Sequence, residues 1–309
     1  MYPHFPFPVP RDIKLSMKKK IKILIITAGA ALAVSILPAV FHARPPVLIV
    51  ADSSFIRLYG ESRMRRENFH SSLKLFRPVK TVAAADDSGD DIVQFAIAEI
   101  SSRPFCVLFP FRFAGAARLY HDQNPLIHVV LLEGMYLENY KADDFNGIFV
   151  YKTDIEADFY KVAAAAALIE EYKNGKIAVF VDTQLQKQCR EAFLQAFSGL
   201  EMPPELLFFT SFSQYSEISG LSCVVLAGTG AEYLENFSGV PVIFITWIDP
   251  SMMPDDVVLV VDDSPWVQVP QAVGMALSGS ANGLIKSNFL ILNEKKIGSK
   301  ALRKMKKIG

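Results

Sequence analysis

Two short apolar runs, Pro46–Asp52 (PVLIVAD) and Lys176–Asp182 (KIAVFVD), share one pattern and lie 130 residues apart. Each is rich in Val and Ile, ends in Asp, and precedes an amphipathic helical stretch. A continuous apolar run of this length suits a strand covered by helices on both faces, as in a parallel sheet. Two such starts imply two α/β lobes built on one plan, and ligands of open α/β sheets sit beyond the carboxyl ends of the strands.

The chain has 309 residues, enough for two modest domains, and is 51% hydrophobic and 21% charged, enough to bury a sizeable core. Its 32 basic and 32 acidic residues cancel. That balance argues against a nucleic-acid partner, which selects for a basic face. Cys106, Cys189 and Cys223 are far apart and sit in apolar settings, so they are read as buried thiols, with no disulfide framework and no metal or redox motif.

The N-terminus departs from this even composition. Met17-Lys-Lys-Lys-Ile-Lys22 precedes an uncharged run over 23–41. At helical rise that run spans roughly 28 Å, close to the thickness of a bilayer core. Basic residues on its amino side place the remainder of the chain outside the cytoplasm. The site at Ala43 has the bulky Phe41 where a signal peptidase needs a small residue. An uncleaved anchor is therefore favoured over a cleaved signal. Residues 1–16 carry no periodic pattern and read as disordered or as a misassigned start, with Met17 the true one.

Beyond Arg44 strand-like and helical stretches alternate. Strands are predicted at 47–51, 79–84, 105–109, 127–132 and 147–150, with helices at 56–76, 90–102 and 113–121. A second array follows: a helix over 156–172, strands at 177–181, 206–209, 223–227, 242–246 and 257–261, and helices at 185–197, 214–219 and 231–237. The expected organisation is an anchor over 17–43, a first lobe over 44–152 and a second over 153–264. The segment 265–285, helical at 268–277, returns to the first lobe. Residues 286–309 form a terminal strand and a basic tail, whose last fifteen residues are expected to be solvated and frayed.

Catalytic signatures are sparse. The five histidines are scattered, and no nucleophile elbow, P-loop or HExxH occurs. Gly228-Thr-Gly230 lacks the third glycine of a dinucleotide site and reads as a tight turn. The Asp86-Asp87 and Asp90-Asp91 pairs lack the alternation calcium needs. No enzyme, cofactor or metal is expected.

The strand carboxyl ends are richer. They carry Ser53 and Phe55 after the first strand, Phe111 and Arg112 after the third, and Glu133 after the fourth. In the second array they carry Asp182 and Thr183 after the first strand, and Trp247 and Asp249 after the fourth. Flat apolar faces mixed with a few charged and hydroxyl groups suit a small-molecule cleft. Trp247 is the leading stacking candidate, and Arg112 the leading partner for an anion or carboxylate.

With these residues in view, the chain resembles the type I periplasmic binding proteins. The group includes solute-binding proteins of ABC transporters, the basic-membrane-protein branch and sugar-repressor effector domains. The late segment Val257–Asp263 and the stretch Lys176–Phe197, with Arg190-Glu-Ala-Phe193, carry the resemblance, which covers roughly 45–295. It implies two Rossmann-like lobes joined by about three hinge strands and closing on a ligand between them. It also implies that Ser53, Phe55 and Arg112 in the first lobe and Thr183, Trp247 and Asp249 in the second line the cleft. A nucleoside, sugar or amino acid is the expected ligand and a membrane permease the expected partner. The lipid-bearing cysteine and the DNA-binding headpiece of some members are missing here. A membrane-anchored structural or interaction protein with no small ligand is the alternative.

Overall fold

The computed structural model describes residues 41, 43–85, 88–133, 145–170, 175–200, 203–214, 218–227 and 231–308. The first array opens with β1 (Val47–Asp52), α1 (Ser53–Tyr59), α2 (Glu61–Leu75) and β2 (Val79–Ala84). It continues through α3 (Asp90–Ile100), β3 (Cys106–Pro110), α4 (Ala114–Gln123), β4 (His128–Glu133) and β5 (Phe149–Thr153). The second array holds α5 (Ile155–Glu170), β6 (Lys176–Val181), α6 (Gln186–Phe197), β7 (Glu205–Phe209), β8 (Leu221–Ala227), β9 (Val242–Ile245) and β10 (Val257–Asp262). The chain ends with α7 (Pro265–Leu277), β11 (Asn282–Ile285), β12 (Asn288–Ile291) and α8 (Ser299–Met305).

Two six-stranded sheets result, in the orders β11-β5-β4-β3-β1-β2 and β12-β10-β9-β8-β6-β7. Every pair in the first sheet is parallel. In the second, only β12 runs antiparallel, against β10. The expected α/β class with two parallel sheets is thus the observed one. The chain passes between the sheets three times, at 153–155, 262–265 and 285–288, because β11 joins the first sheet while β12 joins the second.

The alternation within β1 explains why its run is wholly apolar. Val47, Ile49 and Ala51 pack into the layer formed with α7 and Tyr59, whereas Leu48 and Val50 pack into the layer under α3 and α4. All five are at most 1% exposed. Each large aliphatic buried this way contributes about 1.5–3 kcal/mol. The second sheet repeats the arrangement, with α5, α6 and α8 on one face. There the Ala163–Ala167 block gives α5 a smooth side on which α6 packs closely.

Three expectations need correction. The single helix over 56–76 is two helices, broken at Gly60, whose φ of +87° no L side chain adopts without strain. The stretch 231–237 is a 3-10 helix. The basic tail is not frayed: α8 buries Ala301 and Met305 against the second sheet's core, with Ile297 just before it. Its lysines face outward, and Lys306 pairs with Glu294 at 2.6 Å.

Of the apolar run 23–41, all but Phe41 lies outside the described residues, as do Gly228–Gly230 and the Asp86-Asp87 pair. Among the described residues, no helix is long and apolar enough to cross a membrane.

Candidate functional site

The carboxyl end of β1 is fixed by its last residue. Asp52 caps α1, its Oδ1 accepting the Phe55 N–H at 2.7 Å. Its other oxygen receives Arg112 Nη1 at 3.1 Å. Arg112 and Phe111 lie in a 3-10 turn over 111–113 that leaves β3 directly, so the pair joins the ends of two neighbouring strands. Ser53 ties in a third, its hydroxyl donating to Ala84 O of β2 at 3.0 Å. The Arg112 side chain remains 49% exposed against 13% for Asp52, so the guanidinium lies at the mouth and the carboxylate beneath it.

The opposing lip follows β9. The Trp247 ring meets Phe55 edge to face, with centroids 4.2 Å apart and planes at 72°. Behind them Phe55 stacks on Trp266 at 5.2 Å, and Trp266 on Tyr59 at 4.3 Å. The backbone is clamped as well. Asp249 N–H donates to Leu58 O at 2.9 Å, and Arg63 Nη1 donates to Ile248 O at 3.0 Å. The 247–249 loop of the second sheet therefore sits on the α1–α2 junction of the first. Gly60 permits the approach, since a Cβ there would run into the Asp249 carboxylate.

No family model and no curated protein matches this sequence. Solved structures do match. A transcriptional activator of the comK gene from Bacillus halodurans superposes with a TM-score of 0.56 at 13% identity, over 85% of this chain and 95% of that one. An ABC transporter periplasmic solute-binding protein from Actinobacillus succinogenes, with bound D-allose, gives 0.51 at 13% identity, over 82% and 99%. Together with three crossovers between two sheets, these decide the architecture. The chain has the type I periplasmic binding-protein fold.

In this type I fold the two lips face each other at the carboxyl ends of the two sheets. The structure brings Phe55, Trp247 and Asp249 together and links Arg112 to them through Asp52. Asp182 and Thr183 follow β6, at the carboxyl end of that strand. Asp182 Oδ1 accepts the Gln184 N–H at 3.0 Å in the turn that starts α6, and Thr183 is exposed. Asp249 also caps the 3-10 helix over 250–252 through the Ser251 N–H. Phe111 packs against the layer under α3 and α4. The side chain of Glu133 lies outside the described residues. A cavity of about 440 Å³ between α2, α7 and the third crossover is lined by none of these residues.

Residues that pattern reading missed form the floor of the junction. Arg63 Nη2 donates to Asp262 Oδ2 at 2.6 Å, with 4% and 1% of the two side chains exposed. The guanidinium also lies over the Tyr59 ring at 4.4 Å. Burial raises the Tyr59 phenol, and Asp262 raises it further, against the opposing pull of Arg63. Burial likewise raises the Asp262 carboxyl, with Arg63 and the Ser264 N–H pulling the other way. The four-residue spacing of Tyr59 and Arg63 was the available signal, and nothing in the sequence sets Arg63 apart from its neighbours Arg57, Arg65 and Arg66.

Two more acids, the buried Asp158 and the half-buried Asp263, crowd the crossovers. Asp158 accepts a short hydrogen bond from Ser287, joining α5 to the third crossover. Desolvation pushes Asp158 up to about 6 and Asp263 up to about 7. Cys106 and Cys189 are buried and pushed up to about 12, so neither is a thiolate at neutral pH. Among the described residues, no group of three or more His, Cys, Asp or Glu could hold a metal ion. What the lips offer is stacking surface, an Arg112 fork of donors and the carboxylates of Asp52 and Asp249. That set suits recognition of a ring bearing hydroxyls.

Proposed function

We propose that this chain is an extracytoplasmic solute-binding protein, tethered by residues 23–41, that closes two lobes on a small polar ligand for an ABC-type permease. The closing bodies are residues 44–152 with 265–285, and residues 153–264 with the terminal strand. The observation that carries the reading is the meeting of Phe55 and Trp247, one aromatic from each lip, beside Arg112–Asp52. Ligand entering between the rings touches both lobes only when they shut, so its binding energy shifts the open–closed population. Ser53, Phe111 and Glu133 complete the first lip, and Asp182, Thr183 and Asp249 the second. A sugar is the first class to test, because an aromatic face with carboxylates and an arginine fits a hydroxylated ring. The Actinobacillus protein of the same fold holds D-allose.

Thermal unfolding against a panel of monosaccharides, nucleosides and amino acids tests this. A ligand at 100 times its Kd stabilises by about 2.7 kcal/mol, roughly 5–10 °C for a chain of this size. Calorimetric titration of any stabilising compound should then give one site. Absence of stabilisation by every compound would overturn the reading.

A specific observation favours the second reading, a membrane-anchored structural or interaction protein. Phe55 and Trp247 already pack on each other, and Asp52 is already satisfied by Arg112 and the Phe55 N–H. A cleft filled by its own side chains needs no ligand, and the same panel separates the two readings. Protease added to intact spheroplasts tests the location, since only an exported chain is cut beyond Arg44.

A further inference from the structure

One face of α2 is left uncovered in a way that the fold does not explain. Phe69, Leu73 and Phe76 are 60%, 51% and 59% exposed. Phe69 and Leu73, four residues apart, share one face of the helix, and Phe76 follows as its left-handed C-cap residue. Beside it Arg66, His70 and Lys74, spaced by four, make a second row. This basic row borders the cavity of about 440 Å³, whose far wall holds Lys286 and Asn288 of the third crossover. Arg66 and His70 share Glu67, at 3.6 and 3.8 Å. Lys74 and Lys286 make no ion pair among the described residues.

The chain enters the fold at this same place. Arg44 Nη1 donates to Phe76 O at 3.1 Å, fixing the residues that lead back to the apolar run over 23–41 against the end of α2. An apolar patch, an adjoining basic border in which Lys74 and Lys286 make no ion pair among the described residues, and the exit of an apolar segment thus coincide. Apolar and aromatic side chains flanked by Lys and Arg are what a helix lying in a bilayer interface presents.

We propose that this face of α2 rests on an anionic phospholipid bilayer. Phe69, Leu73 and Phe76 enter the boundary between headgroups and acyl chains, and Lys74, Lys286 and Arg66 meet lipid phosphates. The inference rests on the tether named under the proposed function, which would hold the face at high local concentration beside the membrane. One consequence follows from the sheet directions. Phe76 lies at the amino ends of the first sheet's strands, where Val47 N–H bonds Pro78 O, so docking leaves the cleft at the opposite ends facing away from lipid.

The test uses the full chain in vesicles of phosphatidylcholine with phosphatidylglycerol, carrying an environment-sensitive fluorophore on Leu73→Cys. Leu194→Cys is the control, being 60% exposed on α6. The three native thiols are buried and stay unlabelled in the folded protein. The label at 73 should shift to the blue and be quenched by spin-labelled acyl chains, while the label at 194 is not. Lys74→Gln with Lys286→Gln should lower the docked-to-undocked ratio about fivefold per charge. If the chain floats with the vesicles but position 73 behaves as 194, the docked face is wrong and the tether stands. If the chain does not float, the tether is wrong and the face falls with it. Cross-linking of Leu73→Cys to a second copy, or to residues 23–41, in the vesicles would show that protein covers the row, and would also overturn the proposal.

Discussion

Arg63 on α2 and Asp262 at the end of β10 form a buried ion pair between the two sheets, Nη2 to Oδ2 at 2.6 Å. The second Nη group of Arg63 bonds Ile248 O, so one guanidinium holds both a crossover and the docking loop. Removing one partner of such a pair leaves the other charge uncompensated, which costs about 3–5 kcal/mol. Arg63→Leu should therefore lower the denaturant midpoint by that equivalent. Arg63→Lys should recover only part, since an ammonium cannot span both acceptors with a planar fork. Equal stability of Arg63→Leu and the wild type would refute this role.

Asp158 and Asp263 set a pH dependence opposite to that of ordinary acid-unfolding proteins. Their folded values are raised, to about 6 and about 7. A raised carboxyl binds its proton more tightly in the folded state than in the unfolded one. The resulting stability is complete below the unfolded value, near 4, and is lost as pH rises through the folded value. The unfolding temperature should fall between pH 5 and 7.5 and level off above. In Asp263→Asn most of that slope should vanish. A wild-type profile that is flat or rising over this window would contradict the assignment.

What the sequence made legible follows from which residues answer to a single rule. The apolar stretches 47–51 of β1 and 177–181 of β6 announced two helix-covered sheets, because a segment buried on both faces tolerates no polar position. Gly60 was not legible, because a glycine within a helical pattern is ordinarily tolerated, and only contact with Asp249 gives this one a task. Arg63 was not legible for a related reason. Helical spacing reports which face a residue occupies, whereas its burial depends on a carboxylate 199 positions later. Trp266 likewise belongs to a helix that crosses to the first sheet. The basic tail shows the reverse error: counting charges hid Ala301 and Met305, whose spacing of four marks a buried side.

Trp247 offers an optical test of the lips. It packs against Phe55 and is half-buried, so a ligand between the rings must change its surroundings. Trp247→Ala should weaken binding of any stabilising sugar about tenfold, the ~1.4 kcal/mol that lost stacking removes. Ligand-dependent fluorescence should also disappear, because the other tryptophan, Trp266, is fully buried behind the junction. Unchanged affinity in Trp247→Ala would move the ligand elsewhere.

The closeness of Gly60 and Asp249 separates strain from collision. Gly60→Ala introduces two penalties: a side chain at φ +87°, and a Cβ driven into the Asp249 carboxylate. The first costs on the order of 1–3 kcal/mol wherever such a backbone occurs. The second exists only while the lips are docked, so it opens them or displaces the loop. Asp249→Ala removes the colliding atoms but keeps the backbone bond from residue 249 to Leu58 O. In the double variant only the backbone strain should remain, leaving Gly60→Ala less damaging in the Asp249→Ala background than alone. The coupling should lie within about 0.5–3 kcal/mol, the range for residues in contact. Strict additivity of the two substitutions in unfolding experiments would show that the loop and the α1–α2 junction are not in contact in solution.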